Sequence, residues 1–151
     1  RPAQRPGETM IAFLDTSVVL RKLFNEPGQL REWRLIATAY ASRLMPLEVG
    51  RVIDRYRLQG KINDEDVASL NEEFNRVERS LEIVALSESI LNKAGGALPT
   101  LIGALDAIHL MSALEVKARL KASGVVLATH DGQLGLAARA CGLTVIGLKS
   151  S

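Results

Sequence analysis

Short apolar runs alternate along the chain with longer stretches in which apolar residues recur every three or four positions. The clearest run, residues 10–14, ends in Asp15-Thr16-Ser17, whose side chains suit the start of a helix. Short apolar runs with polar boundaries are typical of buried strands. The predicted strands are residues 10–14, 39–41 (a short edge strand), 81–86, 125–129 and 143–146.

Helical periodicity fills the intervals between these runs. The predicted helices are residues 17–24, 29–38, a helix capped by Ser42 that ends near 59, 65–79 capped by Asp64, 88–93 capped by Ser87, 106–122 and 132–140. Strands separated by helices indicate a parallel sheet with helices on its faces. The predicted fold class is therefore α/β with three layers, a central parallel β-sheet flanked by helices.

The length of 151 residues allows one domain with a substantial core. We expect residues 1–9 to form a flexible tail, residues 10–147 the domain, and residues 148–151 a C-terminal tail. No apolar run reaches the ~18 residues that span a bilayer, so no membrane association is expected. Cys141 is the single cysteine, which excludes an intrachain disulfide and fits a reducing cytoplasm.

Charge and aromatic content narrow the possible partners only slightly. The formal net charge is +2, too small to indicate nucleic-acid binding by itself. Aromatic residues make up 4% of the chain, which argues against a base-stacking platform. Any contact with RNA would therefore depend on Arg and Lys side chains that bind phosphates.

Four carboxylates lie where a charged residue is locally out of place, because their neighbours are apolar and should be buried. They are Asp15, Glu48, Asp106 and Asp131. Asp15 and Asp131 lie at or just beyond strand ends, and the carboxyl ends of parallel strands meet at one edge of a sheet. Glu48 shares a helical face with Leu44 and Val52 and should point inward. Asp106 lies at the start of its helix, where the helix dipole favours negative charge.

Such a cluster needs compensation, because each pair of unit charges 4 Å apart costs roughly 4 kcal/mol at an effective dielectric of ~20. A shared divalent cation would provide it. Oxygen ligands suit hard cations, so Mg²⁺ or Mn²⁺ is the expected cofactor. A cation held there can activate water and stabilise charge on a phosphodiester. The acids therefore predict metal-assisted hydrolysis of a nucleic-acid backbone.

At these residues the chain resembles the PIN-domain nucleases, and among them the VapC-type ribonuclease toxins of bacterial toxin–antitoxin pairs. The matching segments are Phe13-Leu14-Asp15-Thr16-Ser17-Val18-Val19, Leu47-Glu48-Val49 with Arg51, Leu105-Asp106-Ala107-Ile108-His109-Leu110, and Thr129-His130-Asp131 with Leu134 and Ala137-Ala138. They occur in the family's order and span about residues 10 to 147. The resemblance implies an endoribonuclease with a PIN-like fold, an acidic metal pocket, a homodimer and a small antitoxin partner.

The resemblance also assigns residue roles. The four acids match the family's catalytic and metal-binding positions, and Thr16, Ser17 and Thr129 match its pocket hydroxyls. Many relatives carry a further acid or Asn three or four positions after the last Asp, where this chain has Leu134 and Gly135. Three arginines are candidates for contact with RNA phosphates or an acidic antitoxin, or are simply solvated helix charges. They are Arg43, Arg51 and Arg55.

Structural roles compete with these catalytic ones. Asp15, Asp106 and Asp131 could each cap a helix or stabilise its first turn. Glu48 could pair with a helix arginine instead of a metal. His109 fits packing or hydrogen bonding better than metal ligation. His130 fits an exposed loop histidine better than a general base. These interpretations are compatible with ligation, because a ligand can also cap a helix.

Two other functions remain open from the sequence. Asp15 at a strand end also suits a phosphoaspartate nucleophile in a phosphotransfer enzyme. The haloacid dehalogenase family, however, usually has Asp two residues further on, where this chain has Ser17. The second alternative is a non-catalytic RNA-binding module that keeps the PIN-like fold.

Overall fold

A computed structural model describes residues 9–121 and 124–149 of the chain. Its sheet contains five parallel strands in the spatial order β3-β2-β1-β4-β5. The strands are β1 (Met10–Leu14), β2 (Ile36–Ser42), β3 (Leu81–Val84), β4 (Val125–Ala128) and β5 (Thr144–Ile146). The helices are α1 (Thr16–Leu23), a 3-10 helix (Arg31–Leu35), α2 (Leu44–Leu58), α3 (Asp64–Arg79), α4 (Glu88–Ala94), α5 (Ala104–Leu120) and α6 (Gly132–Ala140).

The strands separate two apolar layers, because successive side chains of a strand point to opposite faces. Ala12 and Leu14 of β1 pack with buried residues of α1, α2 and α3. Phe13 packs with buried residues of α4, α5 and α6. The predicted three-layer α/β fold with a central parallel sheet is therefore confirmed.

The second strand was predicted wrongly. Residues 29–38 were expected to be helical and residues 39–41 to form an edge strand. Instead the 3-10 helix ends at Leu35, and Ile36–Ser42 forms an inner strand between β1 and β3. Three of its seven residues are alanine, which is depleted in strands, so its strand structure depends on backbone pairing with both neighbours.

Helix starts agree with the prediction at some caps and differ at others. Ser87 caps α4 through Ile90, as expected. The cap of α3 is Asn63, which forms a capping box with Asp66, so the expected Asp64 cap is wrong. The predicted end of α5 at Ala122 lies outside the described residues, as do residues 1–8 and 150–151 of the two predicted tails.

The strand order places the ends of β1 and β4 at the point where the chain changes direction across the sheet. From β1 the chain proceeds to β2 and β3 on one side, and later to β4 and β5 on the other. In open parallel sheets, ligands bind in the crevice at such a switch point. Among residues 9–121 and 124–149, no helix is long and apolar enough to cross a membrane.

Gly147 fixes the chain just beyond β5. Its φ of +95° is unfavourable for residues with a side chain, and a Cβ there would lie 2.7 Å from the Thr129 carbonyl oxygen. The Thr129 amide in turn donates to the Ile146 carbonyl. The close approach therefore joins the end of β5 to the loop that follows β4.

We predict that Gly147→Ala lowers the free energy of unfolding by about 1–3 kcal/mol, because it adds backbone strain and a clash with backbone. The matched control is Gly50→Ala in α2, where an added Cβ meets no atom within 4 Å. That change should stabilise the protein by about 0.5–1 kcal/mol through helix propensity. Urea unfolding of both variants tests the prediction, and equal effects at the two positions would contradict it.

Candidate active site

Asp15 lies at the switch point with its side chain almost completely buried. Its amide donates to the Ala128 carbonyl at 2.9 Å, which ties the end of β1 to the end of β4. The carboxylate does not cap α1. Instead Oδ2 accepts hydrogen bonds from Ser17 Oγ at 2.7 Å and Thr129 Oγ1 at 2.8 Å. The interpretation of Asp15 as a side-chain helix cap is therefore wrong.

The two hydroxyls connect Asp15 to the loop after β4. Ser17 Oγ accepts from the His130 amide at 3.1 Å, and Thr129 Oγ1 accepts from the Asp131 amide at 3.0 Å. Because an amide can only donate, each hydroxyl has its own proton available for Asp15. The network therefore runs in one direction, from loop amides through hydroxyls to the carboxylate, and holds one oxygen in place.

Glu48, in the second turn of α2, is partly exposed and points toward Asp15 and α5. Its Oε1 accepts from Thr16 Oγ1 at 2.8 Å and lies 2.5 Å from His109 Nε2. Burial acts to raise the pKa of Glu48, but the hydrogen bond and charge of His109 and the hydrogen bond from Thr16 outweigh it. The pKa therefore lies below its usual value. Arg51 pairs with Asp54 at 3.0 Å, so it is not the partner of Glu48.

His109 of α5 is fully buried and bridges two of the acids. Its Nε2 contacts Glu48 and lies 3.9 Å from Asp15 Oδ1. Burial acts to lower the pKa of His109, yet the hydrogen bond to Glu48 and the charges of Asp15, Glu48 and Asp106 raise it overall. Among the described residues, Nδ1 has no hydrogen-bond partner. Hydrogen bonding was the role expected from the sequence, but the bridge between Glu48 and Asp15 was not.

Asp106 occupies the first turn of α5, close to other carboxylates. Burial and the negative charges of Asp131 and Asp15 raise its pKa to about 6, although His109 acts in the opposite direction. Asp131 begins α6, where Oδ1 accepts from the amides of Gln133 at 2.9 Å and Leu134 at 3.4 Å. Its role as a helix cap is thus confirmed, and its side chain also forms a hydrogen bond with Asp106.

The chemistry of this donor set fits a hard divalent cation. The acids offer only oxygen, and burial together with the negative charges of Asp131 and Asp15 raises the pKa of Asp106. A bound cation would offset that negative charge. In the part of the chain that the structure describes, no three or more Asp, Glu, His or Cys side chains already enclose a metal position. The side chains instead form two groups, Asp15-His109-Glu48 and Asp106-Asp131, so the carboxylates would have to turn toward a shared ion.

The candidate RNA-binding arginines lie apart from these hydrogen bonds. Arg43 is exposed at the start of α2. Arg51 is paired with Asp54, and the Arg55 guanidinium lies 5.8 Å from the centre of the Tyr56 ring. None of the three forms a hydrogen bond or ion pair with the four acids in the described structure.

The two positions where many relatives carry a further acid after Asp131 are packed against apolar side chains. Leu134 is buried in the core, and a Cβ at Gly135 would lie 2.7 Å from Leu148 Cδ1. The Leu148 side chain therefore fills the space that a side chain at position 135 would need.

Comparisons with known proteins show the family and the fold that this chain shares. The family model of the PIN domain matches residues 12–139. Ribonuclease VapC47 of Mycobacterium tuberculosis (strain CDC 1551 / Oshkosh) is 30% identical over 129 residues, which cover 81% of this chain and 85% of that protein. A crystal structure of VapBC2 from Rickettsia felis bound to a DNA fragment from their promoter has 16% identity and a TM-score of 0.63. The match covers 90% of this chain and 97% of the chain in that structure. At 16% identity, the match shows similarity of fold.

The raised pKa of Asp106 makes a prediction about metal-free stability. A carboxyl with pKa 3.8 unfolded and about 6 folded binds more protons in the folded state between these values, so stability falls as pH rises through that window. The unscreened shift is worth about 3 kcal/mol, and solvent exposure reduces it to about 1 kcal/mol. In EDTA at pH 7.5, Asp106→Asn should raise Tm by about 2–4 °C. An unchanged Tm, as expected for the exposed control Glu82→Gln, would contradict the prediction.

The contact between His109 and Glu48 predicts a pH-dependent coupling energy. His109→Leu and Glu48→Gln, measured singly and together by urea unfolding, should show a coupling of about 1–2 kcal/mol at pH 6. The folded pKa of His109 is raised above 6.5, so its stabilising charge is present below that value and is lost as pH rises through the folded pKa. The coupling should therefore decrease by pH 9. A coupling independent of pH would show that the charge of His109 contributes nothing.

Proposed function

The chain belongs to the PIN domain family, and from this membership we propose that it is a divalent-metal-dependent endoribonuclease, the toxin of a toxin–antitoxin pair. The observation that carries the proposal is the convergence at the switch point of Asp15, Asp106 and Asp131, with Glu48 linked to Asp15 through His109. The similarity to a ribonuclease of the VapC type supports RNA as the substrate.

The four acids would hold Mg²⁺ or Mn²⁺, and that ion would supply water activation and stabilisation of charge on the phosphodiester. The chain's own contribution is orientation. Thr16 and His109 hold one oxygen of Glu48, and this leaves its other oxygen free of these contacts. Carboxylate oxygens fixed in this way limit the reorganisation that the reaction would otherwise require.

Charge balance gives a second reason for the cofactor. The substrate backbone is an anion, and four carboxylates without a cation would repel it. His109, if protonated, offers one positive charge, which cannot balance the set. We therefore expect productive RNA binding at the acids to need the divalent ion.

The phosphotransfer alternative has less support. In that chemistry the residue two positions after the nucleophilic Asp is usually an acid. Here Ser17 occupies the position and donates its hydroxyl proton to Asp15 at 2.7 Å. Ser17 is therefore engaged in holding Asp15, and it lacks the acidity of a carboxyl group.

The family membership extends the proposal to partners and location. A small antitoxin protein and a homodimer follow from the VapC-type resemblance, and a cytoplasmic location fits the single cysteine, Cys141. The antitoxin and the homodimer depend on the family assignment, and the location depends on the cysteine content. None of the three depends on the distances between the acids.

We predict that the purified protein cleaves single-stranded RNA in Mg²⁺ or Mn²⁺ and loses this activity in EDTA. Asp15→Asn and Asp106→Asn should each reduce the cleavage rate by about 100-fold or more, because each removes several kcal/mol of charge stabilisation at the ion. Glu82→Gln, an exposed carboxylate on β3, should cleave like the original protein.

Circular dichroism and thermal unfolding of the two Asn variants show whether lost activity reflects the site or the fold. Full activity in both variants, or unchanged cleavage in EDTA, would refute the metal-dependent mechanism. Absence of cleavage in every metal tested, with RNA still bound, would favour the non-catalytic RNA-binding module.

A further inference from the structure

A second polar site lies behind the loop that carries Asp131. It is a cavity of about 650 Å³ between the end of β5, the loop after β4, and the segment that joins α1 to the 3-10 helix. The size falls within the 300–1,000 Å³ typical of ligand sites. Its wall includes three basic side chains and one histidine, namely Arg21, Arg31, Lys149 and His130.

His130 connects this cavity to the acids. Thr129 directs its hydroxyl to Asp15, while the next side chain, His130, contacts the Gly147 carbonyl with Nδ1 at 2.8 Å. The His130 amide donates to Ser17, which in turn donates to Asp15. The loop is therefore a shared wall, with the acids on one side and the cavity on the other.

The hydrogen bond to Gly147 fixes what the histidine ring offers. A carbonyl oxygen only accepts, so Nδ1 carries the proton, and in the neutral ring Nε2 is then an acceptor. Nε2 is buried and has no hydrogen-bond partner among the described residues. Less than 1 Å² of Nε2 is accessible, so a ligand in the cavity could donate to it only after the neighbouring side chains move. A buried acceptor without a donor is unfavourable, and this favours such a movement.

The basic side chains add attraction for an anion. Arg21 donates to the Gly28 carbonyl at 3.3 Å. Arg31 and Lys149 are exposed and form no ion pair with any residue of the described ranges. Among the described residues that line the cavity, one is acidic, Glu32, so positive charge predominates there. The same residues include no aromatic side chain apart from His130, which argues against base stacking as the binding mode.

We propose that this cavity binds a nucleotide of the substrate RNA next to the bond that is cleaved. Arg31 and Lys149 would bind backbone phosphates, and His130 Nε2 would accept a hydrogen bond from the nucleotide once the side chains that cover it move. The donor is the ribose 2′-hydroxyl or a base N–H group. The proposal depends on the proposed function for the nature of the polymer, and it adds a substrate-binding site outside the four acids.

Fluorescence anisotropy with a labelled single-stranded RNA in EDTA measures this binding without cleavage. The double variant Arg31→Ala/Lys149→Ala should raise Kd about 10-fold or more at low salt. It should also reduce the slope of log K against log salt by roughly 0.7 for each phosphate that the variant no longer binds. The matched control is Arg79→Ala, an exposed arginine that precedes β3 at the opposite edge of the sheet, and it should bind like the original protein.

His130→Phe tests the acceptor separately. The original protein should bind RNA about 3–10-fold more tightly than DNA of the same sequence if the donor is the 2′-hydroxyl, and the variant should lose this preference. If the donor belongs to a base, the variant instead loses a preference among homopolymers that differ in base N–H groups. If His130→Phe keeps both the preference for RNA over DNA and the preference among homopolymers, His130 does not contact the bound nucleotide.

The outcomes separate the two proposals. Unchanged RNA affinity in the double variant, or an equal loss of affinity in Arg79→Ala, overturns the proposal that the cavity binds RNA, even if the protein cleaves RNA. A selective loss of affinity in the double variant supports the cavity even if no cleavage occurs, and in that case the nuclease proposal alone would fail. Thermal unfolding of each variant in EDTA, which should be unchanged, excludes loss of fold as the cause.

Discussion

Repulsion among carboxylates is the constraint on which the arrangement at this edge of the sheet depends. A single pair at 4 Å costs roughly 4 kcal/mol at an effective dielectric of ~20, a large fraction of the ~5–15 kcal/mol that stabilises a typical domain. Three of the acids have their own compensation. Asp15 accepts two hydroxyl protons, Glu48 contacts His109, and Asp131 accepts amides of α6. Asp106 has the least, and burial together with the nearby charges of Asp131 and Asp15 raises its pKa to about 6.

The same constraint links the site to the fold. The donors that stabilise Asp15 are themselves held by amides of the loop after β4, and that loop is held by the close approach of Gly147 to the Thr129 carbonyl. A change in the position of β5 would therefore disturb the orientation of the Asp15 carboxylate, which follows β1. The backbone of the loop after β4 takes part both in packing against Gly147 and in the hydrogen bonds that orient Asp15. The stability of the fold and the geometry of the acids are therefore coupled.

The amino-acid pattern predicted the parts of the structure that depend on local sequence. Asp15 and Asp131 follow clear apolar runs, and parallel strands bring such positions to one edge, so this pair was accessible to prediction. The strand β2 was not, because Ile36–Ser42 has weak strand character and depends on two neighbouring strands. The bridge from His109 to Glu48 joins α5 to α2 across 61 positions, a distance over which periodicity carries no information. The spacing of three residues from Asp106 was the one local signal for His109.

At Gly135, four residues after Asp131, apolar packing replaces the acid that many relatives carry three or four positions after the last Asp. A side chain at Gly135 would have to displace Leu148, and Leu148 also lines the basic cavity beside Lys149. The Leu148 side chain thus closes α6 against the end of β5 and provides the apolar part of the cavity wall. An acid at position 135 would place negative charge near the cavity proposed to bind RNA phosphates, where it would repel the substrate. Apolar packing at this point therefore keeps the acids on one side of the loop and the positive charge on the other, the separation that an anionic polymer passing over both would require.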